Sequence, residues 1–382
     1  MKKKILTVVG ARPQIIKSSA ISRAISKYYN KDIEELIIHT GQHYDENMSK
    51  VFFDEMMIPL PSFNLNVGSG SHAIQTASML KGLEEIFIKE KPTAVLVYGD
   101  TNSTLAASLA AVKIHIPVIH VEAGLRSFNK YMPEEINRIS CDHMSSMLFT
   151  PTQKGYDNLI AEGFKSRQKG LASIDKPHVY YCGDIMFDNS IYFSKISENS
   201  SSIVSDLNLE INNFILCTIH RDLNTDVKRK MESIFKALLE IVDNTGLKIV
   251  LPLHPRTRDR MEYQLSKNLY NKINQSKKIF LIEPVGFLDM IALEKNAKII
   301  VTDSGGVQKE SFFFKKPCVI LRPETEWVEI VNNGNAVLTD SNYDTIIKSF
   351  NLLLSQSDYT YPNFYGDGKA SEFICNKIVT YL

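Results

Sequence analysis

The stretch AVLVYGD, residues 94–100, and the stretch VIHVEAGLR, residues 118–126, decide how this chain folds. Each is a short apolar run that stops abruptly on small and charged residues. Between them, residues 103–113 are rich in Ala and Leu and read as a helix. Strand, helix and strand in that order make a βαβ unit of a parallel sheet. The arrangement recurs in both directions along the chain. ILTVV runs into Gly10-Ala11-Arg12-Pro13, FILCTI into His220-Arg221, KIVLPL into His254-Pro255-Arg256, and KIIVT into Asp303-Ser304-Gly305-Gly306. In open α/β sheets, ligands bind at the carboxyl ends of the strands. The pattern occurs in both halves. The expected fold is therefore α/β, with two Rossmann-like domains facing a central cleft.

At 382 residues the chain is too long for one ordinary core. The expected division is a first Rossmann-like domain over 1–170, carrying catalytic carboxylates, and a second over 171–365. A C-terminal helix over 366–382 then packs back on the first. The polar stretch 164–178, FKSRQKGLASIDKPH, has no periodicity and reads as an inter-domain loop or insertion. VYYCGD after it reads as the first strand of the second half. Helical spacing puts Ile15, Ile21, Ala24 and Ile25 on one face, and Ile74, Ala77, Leu80 and Phe87 on another.

A hydrophobic fraction of 44% and a charged fraction of 23% are those of a soluble globular protein. The net charge of +1 gives no broad basic field, so no nucleic-acid partner is expected. The opening Met1-Lys2-Lys3-Lys4 mimics a signal peptide, but the short apolar run after it reads better as the first strand. No apolar stretch approaches the ~20 residues that span a bilayer, so no membrane partner is expected. The five cysteines are scattered and form no CxxC pair. They read as core thiols of a reducing compartment, and the expected location is cytoplasmic. No metal is expected: His39, His43 and Asp45 lie close in sequence without a strong ligand spacing.

The chemistry-bearing groups fall into two sets. In the second half, Ser304, Gly305 and Gly306 follow a strand and open a helix. Their uncovered N–H groups and the helix dipole suit an anion such as a diphosphate. The spacing is neither a Walker A loop nor GxGxxG. Glu310, further along that helix, could accept both hydroxyls of a ribose or simply face solvent. His220 ends a strand and suits a diphosphate leaving group or proton transfer. His254 repeats the design and reads as the structural one of the two. In the first half, Arg12 and Lys17 follow the first strand and suit a phosphate. Asp100 and Glu122 terminate successive strands. Glu134 sits where Pro133 opens a helix. Converging carboxylates supply an acid or base near neutral pH, and ion pairs with Arg126 or Arg138 are the alternative.

Taken together, these motifs resemble the non-hydrolysing UDP-N-acetylglucosamine 2-epimerases. The resemblance rests on Gly10 to Pro13 with Lys17, Tyr98 to Asn102, Val121 to Arg126, Met132 to Arg138, His220-Arg221, Ser304 to Gly306 with Glu310, and Gly366 to Lys369. It covers nearly the whole chain in one order. It implies a glycosyltransferase-B-like fold, UDP held by the second domain, a homodimer and no cofactor. It places Asp100, Glu122, Glu134 and His220 at catalytic positions. Arg12, Lys17, Arg138, Ser304, Gly305, Gly306 and Glu310 fall at UDP- and sugar-binding positions. The implied reaction inverts C2 by eliminating UDP to a 2-acetamidoglucal and adding it back.

Leu223 stands where many members carry a glutamate. The segment between Arg126 and Met132 is short, which implies little or no activation by a second UDP-sugar. Thr325 to Glu329 resembles a subgroup that acts on UDP-2,3-diacetamido-2,3-dideoxy-glucuronate. A uronate would need a further cation, from Arg126 or a lysine of 164–178. The competing readings are a hydrolysing epimerase, a glycosyltransferase of the same fold, and a nucleotide-sugar sensor.

Overall fold

The apolar runs form parallel strands. The computed structural model describes residues 2–41, 56, 58–166 and 168–382. In the first unit, the strands are β1 (Lys3–Val9), β2 (Ile33–His39), β3 (Phe63–Asn64), β4 (Ala94–Tyr98), β5 (Val118–Val121), β6 (Met147–Thr150) and β7 (His178–Tyr181). Their order is β3-β2-β1-β4-β5-β6-β7, and every pairing is parallel. The register sets Val95 opposite Val118 and Tyr98 opposite Val121. The second unit has β8 (Phe214–Thr218), β9 (Lys248–Pro252), β10 (Ile279–Ile282), β11 (Ile299–Thr302), β12 (Cys318–Ile320) and β13 (Ala336–Leu338). Its order is β10-β9-β8-β11-β12-β13, again parallel throughout. Both are doubly wound sheets of Rossmann type, in which strand order reverses beside the first strand.

The central strands are fully buried, as sheets covered on both faces require. Helices close the faces. Thr101 caps the helix Asn102–Lys113 through the Thr104 N–H, and that Ala-rich helix packs on the helix His72–Glu90. The latter buries Gln75, Met79, Leu83 and Phe87, a strict i, i+4 stripe. Ile74, expected on the buried face, is 67% exposed. The helix is rotated so that Met79 and Leu83 meet the alanines, and Ile74 turns outward. The helix Arg12–Ala24 buries Ile15 and Ile21 but also Ser18, Ser19 and Ser22.

The chain divides as Met1–Asn189 with Asn363–Leu382 in one unit, and Ser190–Pro362 in the other. VYYCGD was expected to open the second half. Instead β7 is the edge strand of the first sheet, where Tyr180 stacks on Phe149 at 5.3 Å. The stretch 164–178 therefore does not separate the units. It connects the helix Gln153–Ala161 to β7, and Ala172 donates to the Tyr381 carbonyl. The helix Ala370–Tyr381 packs on Arg12–Ala24, and its first turn is held by Asp188, which accepts from the Ala370 and Ser371 amides. All five cysteines are free thiols, four of them buried. Among the described residues no helix is long and apolar enough to cross a membrane.

Gly124 follows β5 with φ +77°, and an added Cβ would lie 2.3 Å from the Gly155 carbonyl oxygen. Backbone cannot retreat as a flexible side chain can. Gly124→Ala is expected to destabilise the protein by about 2–3 kcal/mol. A urea titration reads this as a lower midpoint with an unchanged slope.

Candidate active site

The two strand ends flanking the reversal in the first sheet are those of β1 and β4. After β1, Gly10 and Ala11 lead into the helix Arg12–Ala24. Buried Gln14 knits this turn together. Its Oε1 accepts from the Gly10 and Ala11 amides at 2.9 and 3.2 Å, and its Nε2 donates to the Tyr98 carbonyl at 2.9 Å. After β4 comes Gly99, with φ +63°. A Cβ there would lie 3.2 Å from a Glu122 carboxylate oxygen and 3.3 Å from Lys17 Nζ. Glycine is what lets those two side chains approach the turn.

Asp100 accepts from Arg138, and Arg138 also donates to Glu135. Glu135 is itself fixed by the Ser127 and Phe128 amides, at 3.0 Å each. Asn137 donates to the Asp100 carbonyl at 2.9 Å. Thus three residues of the helix Pro133–Met144 hold the turn carrying Asp100 or its counter-ion. Glu122 follows β5, the neighbour of β4, with φ +72°, a strained position for a non-glycine residue. Its carboxylate pairs with Lys17. Lys17, expected to meet a phosphate, here faces Glu122. Arg12 starts its helix exposed, and Glu134 starts the helix of Arg138, also exposed.

Beneath these turns lies a network with no counterpart in the sequence reading. His120 on β5 is fully buried between Asp142, at 2.7 Å, and the Gly99 carbonyl, at 2.8 Å. Asp142 also accepts from Gly124 N at 3.1 Å and pairs with Arg126 at 2.7 Å. Burial works against the Asp142 carboxylate, but His120 and Arg126 outweigh it and hold the carboxyl below its usual range. Arg126 gives its remaining donors to Glu162, in a fork of two 2.7 Å bonds, and to the Leu125 carbonyl. By sequence it is a candidate cation for a uronate or for the site carboxylates. Instead its charge is spent inside the fold, and its side chain is 1% exposed.

In the second unit the reversal lies between β8 and β11. His220 follows β8, with its side chain 43% exposed, and its Nδ1 lies 3.1 Å from Asp303. Asp303, just after β11, is fully buried. It accepts from the His220 and Arg221 amides and from Asn224 Nδ2, all at 3.1 Å. Burial would raise its carboxyl, but His220 and Asn224 hold it below the usual range. Next come Ser304 and the helix Gly305–Phe313, whose Gly306 is exposed. Arg221 and Arg322 both reach the Gly305 turn: a Cβ there would lie 3.9 and 3.7 Å from their guanidinium nitrogens. Arg322 was not singled out from sequence, although it follows β12 by the same strand-end rule. Glu326 holds it through two 3.1 Å bonds. The result is an open helix N-terminus flanked by two guanidinium groups and a histidine, an arrangement fit for a diphosphate. His254 caps the helix Pro255–Gln264 by accepting from Arg256 N.

Glu310 lies beside Glu294, which is 1% exposed. Burial, and then the Glu310 charge, push the Glu294 carboxyl well above the usual range. Leu223, at the position of the family's glutamate, is 59% exposed. His39 is buried, accepts from Gly41 N, and burial lowers its pKa to about 4. His43 and Asp45 lie outside the described residues. Among the described residues no group of three His, Cys, Asp or Glu is placed to hold a metal.

A family model described as UDP-N-acetylglucosamine 2-epimerase matches residues 27–379. A UDP-N-acetylglucosamine 2-epimerase homolog of Methanococcus maripaludis is 48% identical, covering 96% of this chain and 97% of its own. The UDP-2,3-diacetamido-2,3-dideoxy-D-glucuronate 2-epimerase of Pseudomonas aeruginosa is 44% identical, covering 99% of each. The crystal structure of Methanocaldococcus jannaschii UDP-GlcNAc 2-epimerase in complex with UDP-GlcNAc and UDP superposes with a TM-score of 0.85 at 42% identity. It covers 99% of this chain and 100% of its own.

Glu294 ionises near pH ~4.3 in an unfolded chain but stays protonated to higher pH when folded. Unfolding then releases a proton, so its contribution to stability is lost as pH rises. Glu294→Gln is expected to raise the Tm at pH 8 by more than at pH 5. An equal effect at both values would show that Glu294 is already ionised in the folded protein.

Proposed function

The chain belongs to the UDP-N-acetylglucosamine 2-epimerase family, and from that premise we propose that it inverts C2 of a UDP-linked 2-acetamido sugar. It is an isomerase of glycosyltransferase-B-like fold. The observation that carries the reading is the pair Asp100 and Glu122. They end adjacent parallel strands, and each is matched by a cation from a different helix.

The chemistry follows from the substrate. C2–H is not acidic in the resting sugar, so loss of the diphosphate at C1 must drive its removal. A carboxylate takes the C2 proton while the C1–O electrons leave with UDP, forming a 2-acetamidoglucal. The diphosphate oxygen then adds back to C1, and a proton returns to the opposite face of C2. Asp100 and Glu122 handle the proton, and Glu134 assists. The Ser304, Gly305 and Gly306 amides, with His220 and Arg12, stabilise the departing charge. Arg221 and Arg322 join that set on their position beside Gly305. Glu310 meets the ribose. Lys17 and Arg138 serve by fixing the two carboxylates. No cofactor enters the reaction.

Two sugars fit the relatives almost equally: UDP-N-acetylglucosamine at 42% identity and the 2,3-diacetamido glucuronate at 44%. With Arg126 committed to Asp142 and Glu162, any cation for a uronate comes from elsewhere, as from a lysine of 164–178. The reading includes a homodimer working in the cytoplasm, supported by the family resemblance.

Proton NMR in D₂O with each sugar tests this. The expected result is the C2 epimer carrying deuterium at C2, with no free UDP. Accumulating UDP with free sugar would make the enzyme a hydrolysing one, and silence with both sugars would sink the proposal. Asp100→Asn and Glu122→Gln are each expected to lower kcat about 10²–10⁴-fold while UDP affinity holds.

A further inference from the structure

His120 presents a proton-counting problem. One ring nitrogen faces Asp142 Oδ1 at 2.7 Å and the other faces the Gly99 carbonyl at 2.8 Å. A carbonyl oxygen only accepts, so Nε2 must carry a proton. On the other side, Asp142 Oδ2 already accepts from Gly124 N and Arg126 Nη1. The Arg126 guanidinium 2.7 Å away holds the carboxyl ionised, so Nδ1 donates as well. Ring and carboxylate are both 0% exposed. A cation is buried beneath the turn that carries Asp100.

The positions of its partners give this pair a task. Gly99 and Asp100 share one peptide unit, whose carbonyl His120 grips. Glu122 and Gly124 belong to one turn, whose amide Asp142 grips. Both turns need gripping: Gly99 and Gly124 have positive φ, and Glu122 holds φ +72° without being glycine. The side chains of Glu122 and Asp100 are paired with Lys17 and Arg138, whereas His120 and Asp142 hold the backbone of their turns.

We propose that His120 and Asp142 form a buried ion pair that positions the two proton-handling carboxylates, His120 through the Gly99 carbonyl and Asp142 through the Gly124 amide. The inference rests on the reading of Asp100 and Glu122 given above. It makes His120 and Asp142 positioning residues of the reaction. The surrounding charges agree. Burial opposes the imidazolium, but Cys141 and Asp142 beside the ring outweigh it and raise the pKa well above the usual value. Arg126 and Glu162 complete an alternating chain of charges behind the pair. Without Asp142 the buried cation would stand unpaired, a costly state.

Two substitutions separate positioning from packing. A glutamine amide reaches about as far as Nε2, so His120→Gln keeps a donor for Gly99. An asparagine amide reaches only as far as Nδ1, so His120→Asn keeps contact with Asp142 and releases Gly99. Positioning predicts that kcat per folded molecule falls about 10²-fold in His120→Asn. His120→Gln should recover most of that loss, with UDP affinity by calorimetry unchanged in both. Equal kcat in the two variants, or a loss that merely follows the unfolded fraction, would overturn the proposal.

Nitrogen-15 NMR of histidine side chains in the wild-type protein adds a readout that needs neither turnover nor a folded variant. Two protonated ring nitrogens on His120 at pH 8 are expected. A neutral ring would overturn the ion pair. The NMR result stands whatever sugar the enzyme takes, so failure of this inference and failure of the proposed reaction are told apart.

Discussion

The reversal of strand order in a doubly wound sheet is the constraint on which the rest depends. Crossover helices lie on opposite faces to the two sides of the first strand, and the strand ends between them are left open. In one unit the opening falls between β1 and β4, and in the other between β8 and β11. Gly10 and Asp100 flank the first, and His220 and Asp303 the second. The groups assigned to chemistry gather around these openings, because that is where a parallel sheet leaves polar groups without a covering helix.

Placing charge at such a point costs desolvation, and the two units meet the cost in different ways. The first alternates charges: Lys17 with Glu122, Arg138 with Asp100 and Glu135, and below them His120, Asp142, Arg126 and Glu162. The second centres on one buried carboxylate, with the Arg322–Glu326 pair beside it. Asp303 takes two backbone amides, an asparagine amide and His220, and so shapes the loop after β8 around the end of β11. Breaking either arrangement leaves an unpaired buried charge, which is far more damaging than losing a surface ion pair.

Backbone geometry carries as much of the design as charge. Gly99 and Gly124 occupy left-handed positions, where a Cβ at Gly124 would strike the Gly155 carbonyl and one at Gly99 would crowd Glu122 and Lys17. Glu122 occupies one without the exemption of glycine. Strain at a residue assigned to catalysis is tolerated when its surroundings over-determine the conformation. Here they do so through Lys17 on one side and the Asp142 contact to Gly124 on the other.

The sequence by itself determined the fold class, most strands and the residue types at their ends, because those follow from local periodicity. An apolar run that stops at Asp100, Glu122 or His220 is visible without neighbours. The tertiary structure alone decided which groups meet. Lys17 faces Glu122, and Arg126 is consumed by Asp142 and Glu162. Arg322 reaches the Gly305 turn, and β7 joins the first sheet although a polar stretch precedes it. Helical spacing placed Ile74 inward, but its rotation was set by the alanines of a later helix. His120 is the one polar residue in a buried apolar strand, but nothing local says what it meets. Its role depends on Gly99 and Asp142, each about twenty residues away in sequence. Pairing across such distances is set by strand order and side-chain packing, which no single stretch of the chain contains.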